Sequence, residues 1–111
     1  MAKAGPFITD PRAGAYCWVT LDSGEKVIVN HDKGGFKGGR ITLDVSKLMG
    51  FSSDRIFACD LDSPEGKAAL AQLTRNVPEG SVQATPLGAF VELVTGCPSA
   101  AAVKKRCAAL V

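Results

Sequence analysis

The 111-residue chain lacks the long apolar runs, the excess charge and the metal-ligand spacing that mark several classes of protein. No stretch approaches the roughly 20 apolar residues that cross a bilayer, so we expect no membrane partner. With one histidine and no C-x2-C pair among its cysteines, the sequence predicts neither a metal site nor a cofactor. The N-terminal segment has Asp10-Pro11-Arg12 where a signal peptide has an apolar core, which predicts a cytoplasmic protein.

The composition that remains is that of one folded domain spanning 1–111. Hydrophobic residues make up 46% of the chain and charged residues 22%, which excludes the low-apolar, high-charge composition of disordered segments. Three of the four cysteines adjoin apolar residues within predicted elements. We therefore expect buried free thiols, the alternative being two disulfides. The four are Cys17, Cys59, Cys97 and Cys107.

The first half of the chain reads mainly as strands. Segments 15–21 and 26–30 are rich in aromatic and β-branched residues and flank an Asp-Ser-Gly turn, which predicts a β-hairpin. Residues 41–45 and 55–61 predict a third and a fourth strand. Three further predictions cover the rest of this half. Residues 1–14 are expected to form an irregular arm, His31 to Arg40 a loop, and Ser46 to Gly50 a single helical turn.

The second half reads mainly as helices. Ser63, Pro64 and Glu65 suit the cap and first turn of a helix that we expect to run to about Asn76. The 85–96 segment has helical spacing of its apolar residues, with a buried strand over 89–94 as the alternative. A last helix is expected over 100–110. The fold class is therefore α+β, with a small curved antiparallel sheet or partial β-barrel over 15–61 and two or three helices over 62–111.

The most unusual segment of the sequence is a basic loop rich in glycine. Four glycines fall within residues 34–39, and residues 33–47 hold four basic residues against one acidic residue, a local charge of +3 on a chain whose total is +2. Backbone N–H groups of such a loop can approach a phosphate closely, while lysines supply charge. The loop residues expected to contact nucleic acid are Lys33, Phe36, Lys37 and Arg40.

Two aromatic residues of the first predicted strand extend this hypothesis. Tyr16 and Trp18 are two residues apart, so both side chains belong to one side of the strand and could stack on bases. The alternative is that both rings lie in the core and that the loop charges serve only solubility.

Three other features suggest chemistry only weakly. Residues 104–106 are basic and follow a helix and a turn, an outline shared with helix-turn-helix proteins, but base-reading side chains are missing from this helix. His31 next to Asp32 is more typical of a solvated loop than of a catalytic pair. Asp60 and Asp62 suit a turn before a helix better than a carboxylate pair.

The sequence therefore predicts a binding module without catalytic residues. Nucleic acid is the first candidate ligand, contacted through the glycine-rich loop and the neighbouring aromatic residues. The alternative is a protein-interaction or small-ligand domain, as a monomer or a homodimer, that uses the apolar side of 86–94 or an exposed sheet edge.

Overall fold

Antiparallel strands occupy the N-terminal half of the structure and helices follow them. A computed structural model describes residues 2–10, 14–32, 39–46 and 53–110. Its strands are β1 (Lys3–Ala4), β2 (Ile8–Asp10), β3 (Gly14–Thr20), β4 (Lys26–Asp32), β5 (Arg40–Ser46) and β6 (Ser53–Asp60). Its α-helices are α1 (Pro64–Leu73), α2 (Pro86–Thr95) and α3 (Ala100–Ala108), with a 3₁₀ turn at Val82–Ala84 before α2. The predicted α+β class is confirmed.

The strands form one sheet whose ends do not meet. Its order is β1-β3-β4-β5-β6, with β2 also paired to β3, and every pairing is antiparallel. The Asp-Ser-Gly turn joins β3 to β4 as predicted, and Gly24 at φ 87° adopts a conformation that other residues rarely take. Ser46 ends β5 instead of beginning a helical turn, and the rest of that predicted turn, 47–50, lies outside the described residues.

The N-terminal arm is ordered on the sheet, which corrects the expectation of an irregular segment over residues 1–14. β1 pairs with residues 19–20 of β3 and β2 pairs with residues 14–16, so both strands share one edge of β3. Between them, the backbone N–H of Gly5 donates to the carbonyl of Trp18 at 2.8 Å. Strands of two and three residues are too short to show a period, so tertiary pairing alone reveals them.

The two faces of the sheet have different environments. Odd-numbered side chains of β3, β4 and β5 point to the helices and form the core with residues of α2 and α3. The buried apolar members of this set are Cys17, Val19, Val27, Val29, Ile41, Leu43 and Val45. On β6, the ring of Phe57 stacks on that of Phe90 of α2, with ring centroids 5.7 Å apart. Even-numbered side chains of β3, β4 and β5, and the residues of the other strands that pair with them, lie on the other face, which is called the open face below.

Helix α1 begins at the predicted cap. The Ser63 hydroxyl accepts from the N–H of Gly66 at 3.0 Å and donates to the carbonyl of Asp60 at 2.6 Å. A Cβ on Gly66 would stand only 2.0 Å from that carbonyl oxygen, so the first turn requires glycine there. The helix ends at Leu73, before the predicted Asn76, and the Thr74 hydroxyl bonds back to a carbonyl of the last turn.

Helix α2 begins with the same local chemistry. The Thr85 hydroxyl accepts from the N–H of Gly88 at 3.1 Å and donates to the carbonyl of Val82 at 2.6 Å. A Cβ on Gly88 would stand 1.9 Å from that oxygen. The helical alternative for 85–96 is therefore confirmed over the strand. Seven of the ten residues of α2 are buried, so it is the central helix of the core.

Helix α3 is tied to the β3–β4 hairpin. Its cap, Ser99, accepts from the N–H of Ala102 at 3.3 Å, and the carboxylate of Glu25 accepts from the N–H of Ala100 at 3.2 Å. The N–H of Ser23 also donates to the carbonyl of Pro98 at 3.0 Å. Hairpin and helix are thus joined across 75 residues of sequence. None of the described helices is long and apolar enough to span a bilayer.

Candidate nucleic-acid interface

Two aromatic rings lie next to each other on the open face of the sheet. Tyr16 is half-buried and Trp18 is 39% exposed, so neither ring belongs to the core between sheet and helices. The register places Tyr16 beside Asn30 and Trp18 beside Ile28 of β4. Part of each ring is therefore accessible to solvent.

The N-terminal strands enlarge this aromatic surface. Ile8 of β2 pairs with Tyr16 and is 41% exposed, and Phe7 before it is 42% exposed. Three of the large apolar side chains that the described structure leaves exposed therefore lie at or near the β3 edge. Phe7 and Ile8 were not among the predicted binding residues, because residues 1–14 were expected to form an irregular arm. Their contribution follows from the pairing of β2 with β3.

The β4–β5 loop begins at the end of the sheet nearest Tyr16. Arg40 begins β5 on the open face. Its row lies about 7 Å along the strands from the row of Tyr16, and β5 is two strands from β3, so the two residues are about 12 Å apart. Arg40 is exposed. The other loop residues expected to bind, Lys33, Phe36 and Lys37, lie outside the described residues. The structure thus brings together Tyr16, Trp18 and the base of the loop on one face.

Gly39 ends the loop at a narrow point. Its φ is 76°, and a Cβ there would stand 2.5 Å from the carbonyl oxygen of Asp32 and 2.9 Å from Nε2 of His31. The Gly39 carbonyl also accepts from the N–H of Leu61 at 3.1 Å. Glycine is therefore required at this position, and it holds the end of the loop against β4.

His31 is buried, contrary to the solvated loop position expected for it. It is 8% exposed and lies on the inner row between Ala15 and Ile41. β4 continues to Asp32 because both of its neighbours continue alongside it, although the local sequence is polar. A buried imidazole on the core side of the sheet cannot serve the open face as a catalytic group.

The charges on the open face are unevenly distributed. Lys3 of β1 and Lys26 of β4 both pair with Thr20, one step beyond Trp18, and both are exposed. At the opposite end, Arg40 has Asp32 and Asp60 as its cross-strand neighbours. Carboxylates at that spacing reduce the positive potential around the guanidinium.

The far side of the face holds a separate ion pair. Nε of Arg55 lies 3.9 Å from a carboxylate oxygen of Asp44, and the two residues are paired across β5 and β6. This arginine is already partly neutralised. The other half of the face, formed by β1, β3 and the start of β4, exposes the side chains of Lys3 and Lys26.

The remaining candidate groups have structural roles. The carboxylate of Asp60 accepts from the backbone N–H of Asp62 at 3.0 Å, as expected of a turn. The basic residues 104–106 lie exposed on α3. Helix α2, which the helix-turn-helix outline needs as a partner, is largely buried against the sheet. The apolar side of 86–94 is likewise inside the core, which removes it as an exposed contact surface.

The cysteines behave as buried apolar residues. All four are free thiols, as predicted, and three of them are buried. Burial raises the pKa of each thiol, and it raises that of Cys107 to about 12, with a further contribution from the nearby Cys97 and Cys59. Because the thiolate is the reactive form, these thiols are poor nucleophiles at neutral pH. Among the described residues, no cluster of His, Cys, Asp and Glu could hold a metal ion.

The chain matches no protein-family model, no curated protein and no solved structure.

Proposed function

We propose that this protein is a binding module for nucleic acid and that its open face is the binding surface. The observation that carries the proposal is the position of Tyr16 and Trp18. Both rings lie on the face turned away from the helices. The row that contains Tyr16 lies about 7 Å along the strands from the row of Asp32 and Arg40, at the base of the glycine-rich loop. Bases stacking on such rings contribute about 1–3 kcal/mol each in proteins that bind single strands.

The loop supplies the charge that this proposal needs. Lys33, Lys37 and Arg40 would contact phosphates, and Phe36 would add a third aromatic ring. The glycines allow backbone N–H groups to approach an anion. Because Asp32 and Asp60 lie beside Arg40, the lysines carry most of the expected phosphate contact.

Trp18 makes the proposal directly testable, because it is the only tryptophan in the chain. Titration with a mixed-sequence oligonucleotide at low salt should change its fluorescence. Replacing Tyr16 with Ala should weaken binding about 5- to 150-fold while leaving the probe in place, a range equivalent to about 1–3 kcal/mol. Circular dichroism and thermal unfolding would establish that the variant is folded.

The role of the loop is tested by two triple variants that each remove three positive charges, one in the loop and one in α3. Lys33→Gln, Lys37→Gln and Arg40→Gln together should lower the slope of log K against log salt by about 2, at about 0.7 per single-strand phosphate contact. The matched control changes residues 104–106 of α3 to Gln, which also removes three positive charges. If both triple variants bind with the same salt dependence, the loop is not the phosphate site. Absence of binding at low salt rules out the function itself.

A second candidate function, contact with another protein, rests on the exposed apolar residues at the β3 edge. Phe7, Ile8 and Trp18 are each about two-fifths exposed and would bury well in a protein interface. Light scattering distinguishes the candidates. A mass that rises with protein concentration and does not respond to salt favours self-association, in which case Ile8→Asp should restore the monomer.

A further inference from the structure

The geometry of the open face also indicates which form of nucleic acid it fits. We infer, on the basis of the proposed function, that the ligand is a single strand in an extended conformation. It would run along β3 and β4 from Lys3 and Lys26 to the base of the glycine-rich loop, with unpaired bases over Trp18 and Tyr16.

The sheet that carries the open face is wider than a groove of duplex DNA. Five strands lie side by side across the sheet, and strands are about 4.8 Å apart, so the sheet is about 19 Å wide. The major groove of B-form DNA is about 12 Å wide and admits a helix or a two-stranded ribbon. Tyr16 and Trp18 lie on β3, the second of these strands, so their rings belong to a surface broader than the groove and cannot reach base edges inside it face-on.

The spacing of the two rings on β3 also favours an unpaired strand. Tyr16 and Trp18 are alternate residues of one strand, so they are about 7 Å apart along it. Adjacent bases in a duplex are separated by about 3.4 Å and cover one another's faces. Two rings at twice that distance match consecutive bases that have separated from each other, and only an unpaired strand exposes such faces.

Positively charged side chains lie at both ends of the proposed path. Lys3 and Lys26 lie one step beyond Trp18, and Arg40 lies at the other end. From Lys26 to Asp32 the strand advances six residues, or about 20 Å. A duplex would bring a second backbone over Asp44 and the β6 side of the face, whereas one strand meets carboxylates only at its end, where Asp32 and Asp60 flank Arg40.

The test uses Trp18 fluorescence together with anisotropy of a labelled ligand. An oligothymidylate of two dozen nucleotides is compared with a blunt duplex of one dozen base pairs, which carries nearly the same number of phosphates, at equal salt. We expect the single strand to quench Trp18 and to bind roughly ten-fold more tightly or better. Lys3→Gln with Lys26→Gln should weaken single-strand binding, whereas Arg55→Gln on the far side of the same face should leave it within two-fold, roughly the change of one exposed charge.

The outcomes separate the inference from the proposed function. Equal affinity for the two ligands overturns the single-strand inference and leaves nucleic-acid binding in place. Binding by anisotropy without any change in Trp18 fluorescence also overturns it, because the bases would then lie elsewhere. Binding to neither ligand overturns both proposals. Thermal unfolding of each lysine variant shows whether a loss of binding reflects a loss of fold.

Discussion

Gly39→Ala is the substitution whose effect the structure specifies best. The new methyl group would sit at a φ of 76°, a conformation costing about 1–2 kcal/mol for residues with a Cβ. It would also stand 2.5 Å from the Asp32 carbonyl oxygen and 2.9 Å from Nε2 of His31. That oxygen belongs to a paired strand and the imidazole is buried, so neither can move away freely. Overpacking of this kind adds about 1–3 kcal/mol, and we expect a total near 3 kcal/mol.

Gly24→Ala is the matched control. Gly24 has φ 87°, nearly the same conformation, but no atom lies within 4 Å of its added Cβ. It should therefore show the conformational cost alone, about 1 kcal/mol. Urea unfolding followed by Trp18 fluorescence gives both values, provided that the m-values agree. Equal losses of stability in the two variants would refute the steric argument and the tight closure of the loop that follows from it.

Three further predictions concern the core and the helix starts. Gly88→Ala should lower the free energy of unfolding by about 2 kcal/mol, because the added Cβ would stand 1.9 Å from a backbone carbonyl oxygen. Gly96→Ala is the control and should be neutral or slightly stabilising, because its Cβ would have no contact under 3.5 Å. Urea unfolding measures both, and equal values would contradict the steric explanation. Burial raises the pKa of Cys107 to about 12, so above about pH 9 the folded chain keeps a proton that the unfolded chain loses. The free energy of unfolding should therefore fall as pH rises from about 9 to about 12, by about 1.4 kcal/mol per pH unit for this thiol. The Cys107→Ala variant should show a shallower fall in pH-dependent urea unfolding, and an unchanged slope would disprove the assignment. Glu25→Gln should cost about 1 kcal/mol in the same assay by weakening the acceptor for the first N–H of α3, and an unaltered midpoint would show that this bond contributes nothing.

Local chemistry explains which parts of the fold could be predicted. The hairpin turn, the Ser63 and Thr85 caps and the helical spacing of 85–96 depend on residues three or four positions apart, so their interactions are visible in the sequence. The alternation along β3 predicted that Tyr16 and Trp18 share a side. It could not say whether that side faces the helices or solvent, because this depends on where α2 packs.

Long-range pairing explains what could not be predicted. β1 and β2 are too short to have a pattern, and their order depends on the free edge of β3. His31 is buried because Ala15 and Ile41 flank it from neighbouring strands. The carboxylates beside Arg40 come from β4 and β6, so a local charge count overstates the positive potential at that residue.

The sequence by itself thus determined the α+β class, the helix starts and the presence of a basic glycine-rich segment, since each rests on neighbouring residues. Only the tertiary structure decided which face of the sheet stays open and which charges surround Arg40. Those properties are set by strand register and helix packing between residues far apart in the chain, and the proposed binding surface depends on both.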